Sequence, residues 1–158
     1  MMQQTIRIER EWAMPNHKTF EIKPIKKLIQ EELGNEFLDL FPYPYTKDAL
    51  ELIRQIKTNT VKKLGFDPPY SLRQLKEKYD NLGKSLTQRE TTNYWSDLKD
   101  EVARVLKPGG KVISFGWNSI GIGKTRGFEI TRILMVCHGG HHNDTICTVE
   151  RKVNEVLF

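Results

Sequence analysis

Between residues 21 and 152, short apolar segments of strand length alternate with segments whose apolar residues recur every three or four positions. This alternation is the strongest constraint on the fold, because a strand followed by a helix returns to the sheet parallel to its predecessor. Ile25, Leu28, Ile29 and Leu33 share one helical face, with Pro24 suited to the first turn and Gly34 to the stop. Residues 37–41 read as a strand ended by Pro42 and Pro44. Residues 46–57 read as a helix with Ala49, Leu50, Ile53 and Ile56 inward. Residues 60–66 form the next strand, and helical patterning returns over 72–82 and 94–106. The Lys107-Pro108-Gly109-Gly110 turn leads into a strand over 111–115. After a glycine-rich loop over 116–127, residues 128–137 and 144–152 form a hairpin around His138-Gly139-Gly140-His141-His142. Residues 1–18 read as an irregular lead-in. The expected fold is α/β, a mostly parallel sheet with an antiparallel C-terminal hairpin at its edge.

In such sheets ligands bind beyond the C-terminal ends of the strands. Asp67-Pro68-Pro69-Tyr70 and the 116–127 loop both follow strand ends, so both point at one rim. By itself the tetrapeptide is a strand-ending turn; its place in the alternation gives it chemistry. An amine on an aromatic ring is a poor nucleophile, because its lone pair is delocalised. The Asp67 carboxylate and the Pro68 carbonyl can accept its two hydrogens and turn that lone pair out of the ring plane. The two prolines hold the carbonyl rigid, and Tyr70 offers a face on which a displaced base can stack.

With those residues in place, the chain resembles the small adenine-N6 DNA methyltransferases of phages and mobile elements. The matching stretches are 11–16, 19–25, 66–73, 106–123, 127–130 and 138–149, most of the chain outside 36–65. The resemblance implies a Rossmann-like S-adenosylmethionine-dependent methyltransferase fold as a single domain over 1–158. It implies Asp67, Pro68 and Tyr70 as catalytic residues, with S-adenosylmethionine as cofactor. Lys23 and Pro24 would lie near the cofactor's carboxylate, at a helix N-terminus that favours an anion. Asp39 would bind its amine, with Phe41 beside it, and Asp48 would approach its adenine.

The chain departs from that family between residues 36 and 65. Residues 39–45 read Asp-Leu-Phe-Pro-Tyr-Pro-Tyr, with no glycine for close approach to a cofactor. Residues 41–65 are fewer than the roughly 30 of one strand–helix–strand unit. An internal deletion between Phe41 and Tyr45 is expected, leaving an abridged fold without a ribose ligand. Val61-Lys62-Lys63-Leu64-Gly65 is also polar for a strand covered on both sides. Two readings follow: an active adenine-N6 DNA methyltransferase, or a weak or inactive relative serving as a DNA-binding or protein-interaction module. Methylation of cytosine N4, RNA or a protein glutamine is a weaker third.

Further candidates for substrate contact are Pro69, Ser71, Arg73, Trp117 and Asn118, with Lys124 and Arg126 on the loop meeting phosphates. Residues 71–95, with Lys76, Lys78, Lys84 and Arg89, could line a DNA entrance. Trp12 reads equally as core or as pocket wall. Cys137, His138, His141 and His142 match no structural zinc pattern, so no metal is expected. A net charge of +5 and a pI near 9.2 allow a polyanionic partner. There is no apolar run of the roughly 18 residues a membrane span needs. Two cysteines are too few for a disulfide framework, and read as reduced thiols in the cytoplasm. DNA is the expected partner, no membrane is, and a homodimer is left open.

Overall fold

The computed structural model describes residues 5–42 and 47–153. Tyr43, Pro44, Tyr45 and Thr46, which hold the expected deletion point and the expected start of the second helix, lie outside the described residues. Six strands form one sheet in the order β1-β5-β6-β4-β3-β2. They are β1 (Arg7–Trp12), β2 (Leu38–Asp39), β3 (Val61–Phe66), β4 (Leu106–Gly116), β5 (Phe128–Cys137) and β6 (Thr145–Lys152). Neighbours β1 and β5, β2 and β3, and β3 and β4 run parallel, whereas β6 runs against both β4 and β5. This is a Rossmann-like α/β sheet, mostly parallel, with the expected C-terminal hairpin.

The hairpin does not form the edge. β6 is interior, and the outer place belongs to β1, in the stretch expected to be an irregular lead-in. Charged residues in β1 alternate with Ile8 and Trp12, which face solvent, so no buried apolar run marks the strand. The Lys-Pro-Gly-Gly stretch lies within β4: the preceding helix passes directly into the strand at Leu106, and residues 107–110, with Gly109 at φ +83°, are looped out of the pairing with β3.

Helices cover the two faces. Helix α1 (Lys23–Glu32) buries Ile25, Leu28 and Ile29 against Ile113, Phe115, Leu134, Val136 and Val149. Helices α2 (Ala49–Arg54), α3 (Leu72–Asn81) and α4 (Gln88–Val105) pack on the other face over Leu64, Phe66, Val112 and Phe128. Helix α4 starts earlier than its apolar period indicates. Thr87 and Glu90 form a reciprocal capping box at its N-terminus. Strand β2 pairs only with Leu64 and Gly65 of β3, which leaves Lys62 and Lys63 exposed and accounts for that strand's polarity. No helix among the described residues is long and apolar enough to cross a membrane.

Buried polar groups on β6 fix its neighbours. Lys152 is buried, and its ammonium donates to the carbonyls of Ala103 and Leu106 (both 2.7 Å) and to Asn59 Oδ1 (3.1 Å). It thereby satisfies the carbonyls that the end of α4 leaves without helical partners. Lys152→Met should leave these acceptors unpaired and cost about 1–3 kcal/mol, seen as a lower denaturant midpoint at unchanged m-value.

Candidate functional site

The five parallel strands deliver their C-terminal ends to one rim, and the chain reverses into β6 there. A cavity of about 490 Å³ opens at this rim, lined by Asp67, Pro68, Tyr70, Lys78, Trp117 and His138 among others. A smaller hollow of about 160 Å³ adjoins it, walled by His17, Thr19, Asp39, Phe41 and Asp67. Asp67 therefore belongs to both spaces. A third recess, about 130 Å³, lies along Pro68, Pro69, Tyr70, Trp95, Trp117 and Asn118.

Asp67 is 8% exposed. Burial raises its pKa above the usual aspartate value, against the lowering effect of hydrogen bonds from Tyr70 and Thr19 and of the Lys78 charge. The Tyr70 hydroxyl donates directly to the Asp67 carboxylate. Burial and that neighbouring carboxylate hold the phenol well above its ordinary range. The Tyr70 ring meets Trp117 edge to face at 5.5 Å. Its backbone N–H donates to Gln74 Oε1 (2.7 Å), and Ser71 caps α3 by accepting from the Gln74 N–H (3.3 Å). The Pro69 carbonyl accepts the Trp95 indole N–H at 2.7 Å. The turn after β3 is thus fixed from two helices.

Asp39 ends β2 and Phe41 follows it. The Asp39 carboxylate accepts the Phe41 N–H at 3.0 Å, and burial raises its pKa despite that bond. Lys78, on α3, places its ammonium 5.1 Å from the centre of the Phe41 ring. Burial lowers its pKa to about 8, while the charges of Asp67 and Asp39 act in the opposite sense. A residue expected at a DNA entrance instead lies over an aromatic ring and lines the larger cavity, in the field of two acids. The smaller hollow carries the Asp39 and Asp67 carboxylates together with Lys18.

The structure separates the other candidates. Lys23 and Pro24 begin α1, but residues 17–21 just before them line the hollow. Asp48 caps α2, accepting the Leu50 N–H (3.0 Å), and takes the Tyr79 hydroxyl at 2.8 Å; it lines none of these three spaces. Arg126 is held by Asp100 (2.8 Å), the Ile122 carbonyl (3.1 Å) and Ser96 Oγ (3.2 Å). Lys124 is exposed, and Arg73 is exposed beside Glu77 at 3.2 Å. Asn118 accepts the Ile120 N–H at 3.0 Å within its own loop. His138 bridges the Ala13 carbonyl (2.9 Å) and Thr145 Oγ1 (2.8 Å), so its ring nitrogens join β1 to β6. Trp12 is 69% exposed. It lies over Gly139, where a Cβ would come within 2.7 Å of the indole.

Sequence reading gave no role to Thr19, Gln74 or Trp95. None carries a pattern of its own, and each acts by reaching across to the turn at Asp67.

No protein-family model matches the chain, and no curated protein does either. Among solved structures it is similar to TrmN from Thermus thermophilus, at 22% identity and a TM-score of 0.41, over 68% of this chain and 27% of that one. It is also similar to a candidate DNA modification methylase from Thermus thermophilus complexed with S-adenosyl-L-methionine. There the identity is 17% and the TM-score 0.44, over 69% of this chain and 52% of that one. The chain thus spans between about a quarter and a half of the length of these proteins. The functional reading rests on the residues of the site itself.

Tyr70→Phe removes a hydrogen bond that stabilises ionised Asp67, so it should raise the Asp67 pKa further. An NMR titration of the Asp67 side-chain carboxyl carbon in both proteins measures the shift.

Proposed function

We propose that the chain transfers a methyl group from S-adenosylmethionine to N6 of adenine in DNA. One observation carries this reading: Asp67 is the shared wall of a cavity large enough for a base and a smaller hollow that also holds the Asp39 carboxylate. An amine acceptor and a sulfonium donor would meet at one oxygen pair.

The smaller hollow suits the methionine end of the cofactor, because Asp39, Asp67 and the Phe41 ring line it. When bound, the cofactor would supply a methyl group on a sulfonium. Asp67 would accept one amine hydrogen and the Pro68 carbonyl another, directing the nitrogen lone pair at that methyl. The Tyr70 hydroxyl now occupies Asp67, so the amine would displace it and the ring would turn to stack on the base. Asp67 would also take the proton that the nitrogen gives up once it carries the methyl group, along the same hydrogen bond. Trp117 would close the cavity beside the base, and the exposed Lys124 and Arg73 would meet phosphates. Ionised Asp67 is the active form, so activity should fall as pH drops through its raised pKa.

A second reading has its own support. Strand β2 has two residues, and the described segment after it offers no glycine and no acidic ribose ligand. Lys78, which lines the larger cavity, meanwhile lies over the Phe41 ring that walls the smaller hollow. A chain of this kind could bind DNA or a protein on the same rim without turnover.

Labelled methyl transfer to unmethylated DNA separates the two. Asp67→Ala should lower transfer about a hundredfold or more; transfer that survives the substitution would sink the assignment of Asp67. Lys78→Met removes a competing cation and should tighten S-adenosylmethionine about tenfold in calorimetry. Absence of binding at millimolar cofactor in both proteins favours the module.

A further inference from the structure

The two edges of the sheet are built differently. At the β2 edge the outer strand is two residues long, and beyond it β3 shows exposed Lys62 and Lys63. Short strands and lysines are ordinary protections against strand addition. β1 carries charges, at Arg7, Glu9, Arg10 and Glu11, but it is six residues long, with no lysine, proline or register shift.

The Ala13 N–H donates to the Cys137 carbonyl at 3.1 Å. By alternation along the strand, odd-numbered residues turn their backbone groups toward β5, and Ile6, Ile8, Arg10 and Trp12 turn theirs outward. No described strand takes them. Side chains alternate as well. Glu9 reaches Arg132 at 2.6 Å, and Arg132 reaches Glu31 of α1 at 2.7 Å, so the odd residues lie on the α1 face. The even residues lie on the opposite face. There Ile6, Ile8 and Trp12 are 42%, 70% and 69% exposed, while the apolar cluster under α4 reaches β5 only at Phe128.

We infer that this edge is the contact of a homodimer, in which the β1 strands of two copies pair antiparallel about a two-fold axis at Glu9. The sequence fits a second copy of itself. In that register Arg7 stands opposite the partner's Glu11 on both sides of the axis, and Ile6 stands opposite the partner's Trp12. Ile8 lies opposite the partner's Arg10, whose stem can cover it. The two Glu9 carboxylates at the axis are each drawn toward Arg132 of their own copy. The outward backbone groups of all four even residues gain partners, and two sheets become one. The inference stands apart from the proposed reaction.

Sedimentation velocity on the full chain tests it. The wild type should be a dimer at tens of micromolar. Arg7→Glu and Glu11→Arg each create two like-charge pairs and should weaken the dimer at least tenfold. Arg7→Glu combined with Glu11→Arg restores opposite charges and should recover it. Both positions are exposed, so circular dichroism melting should show all variants folded. A wild type still monomeric at about 100 μM, which would put any association in the millimolar range, would overturn the inference. So would a dimer indifferent to Arg7→Glu, or a double variant that stays monomeric.

Discussion

Most of this structure depends on one reversed strand. β6 runs against both neighbours, and its buried Thr145, Glu150 and Lys152 each finish another element. Glu150 accepts the N–H groups of Ile122 (2.7 Å) and Gly123 (3.0 Å), which pins the loop after β4. Gly121 sits at φ +63° beside that carboxylate, where any Cβ would collide with Glu150. Lys152 completes the end of α4, and Thr145 receives His138 at the rim. Buried charges are costly unless their hydrogen bonds are made. These are made to backbone, so they specify where a loop and a helix end must lie.

The rim places two kinds of surface against one carboxylate. Tyr70 and Trp117 give the larger cavity aromatic faces, whereas the smaller hollow sets the Asp39 and Asp67 carboxylates beside the Phe41 ring. The contrast matters because a planar, weakly nucleophilic amine and a positively charged donor need opposite surroundings. Lys78 shows the electrostatics at work: burial pushes its proton off, and two aspartates draw it back. The same balance would meet any cationic ligand entering from solvent.

Much of the fold was legible because periodicity reports burial. The hairpin strands and α1 announce themselves through apolar residues at the right intervals. β1 does not, since its apolar side chains face solvent and three of its four charges face α1, where Glu9 and Arg132 pair. The early turns of α4 are polar for the same reason; only the Thr87–Glu90 cap marks them. At the site, Asp67, Pro68 and Tyr70 were legible as a tetrapeptide. Asp48 and Arg126 were misleading, because a carboxylate at a helix start and an arginine on a loop read alike whether they serve a ligand or the fold. Lys78 was visible only as one charge on a helix, and its partners come from β2 and β3.

The unequal edges of the sheet also set a limit on size. A sheet that can grow from both sides propagates, and the outcome is a fibre. Here one side is long and open while the other is two residues deep and guarded by lysines. Whatever joins β1 meets no second docking strand across the molecule, so assembly by this route closes after a single step.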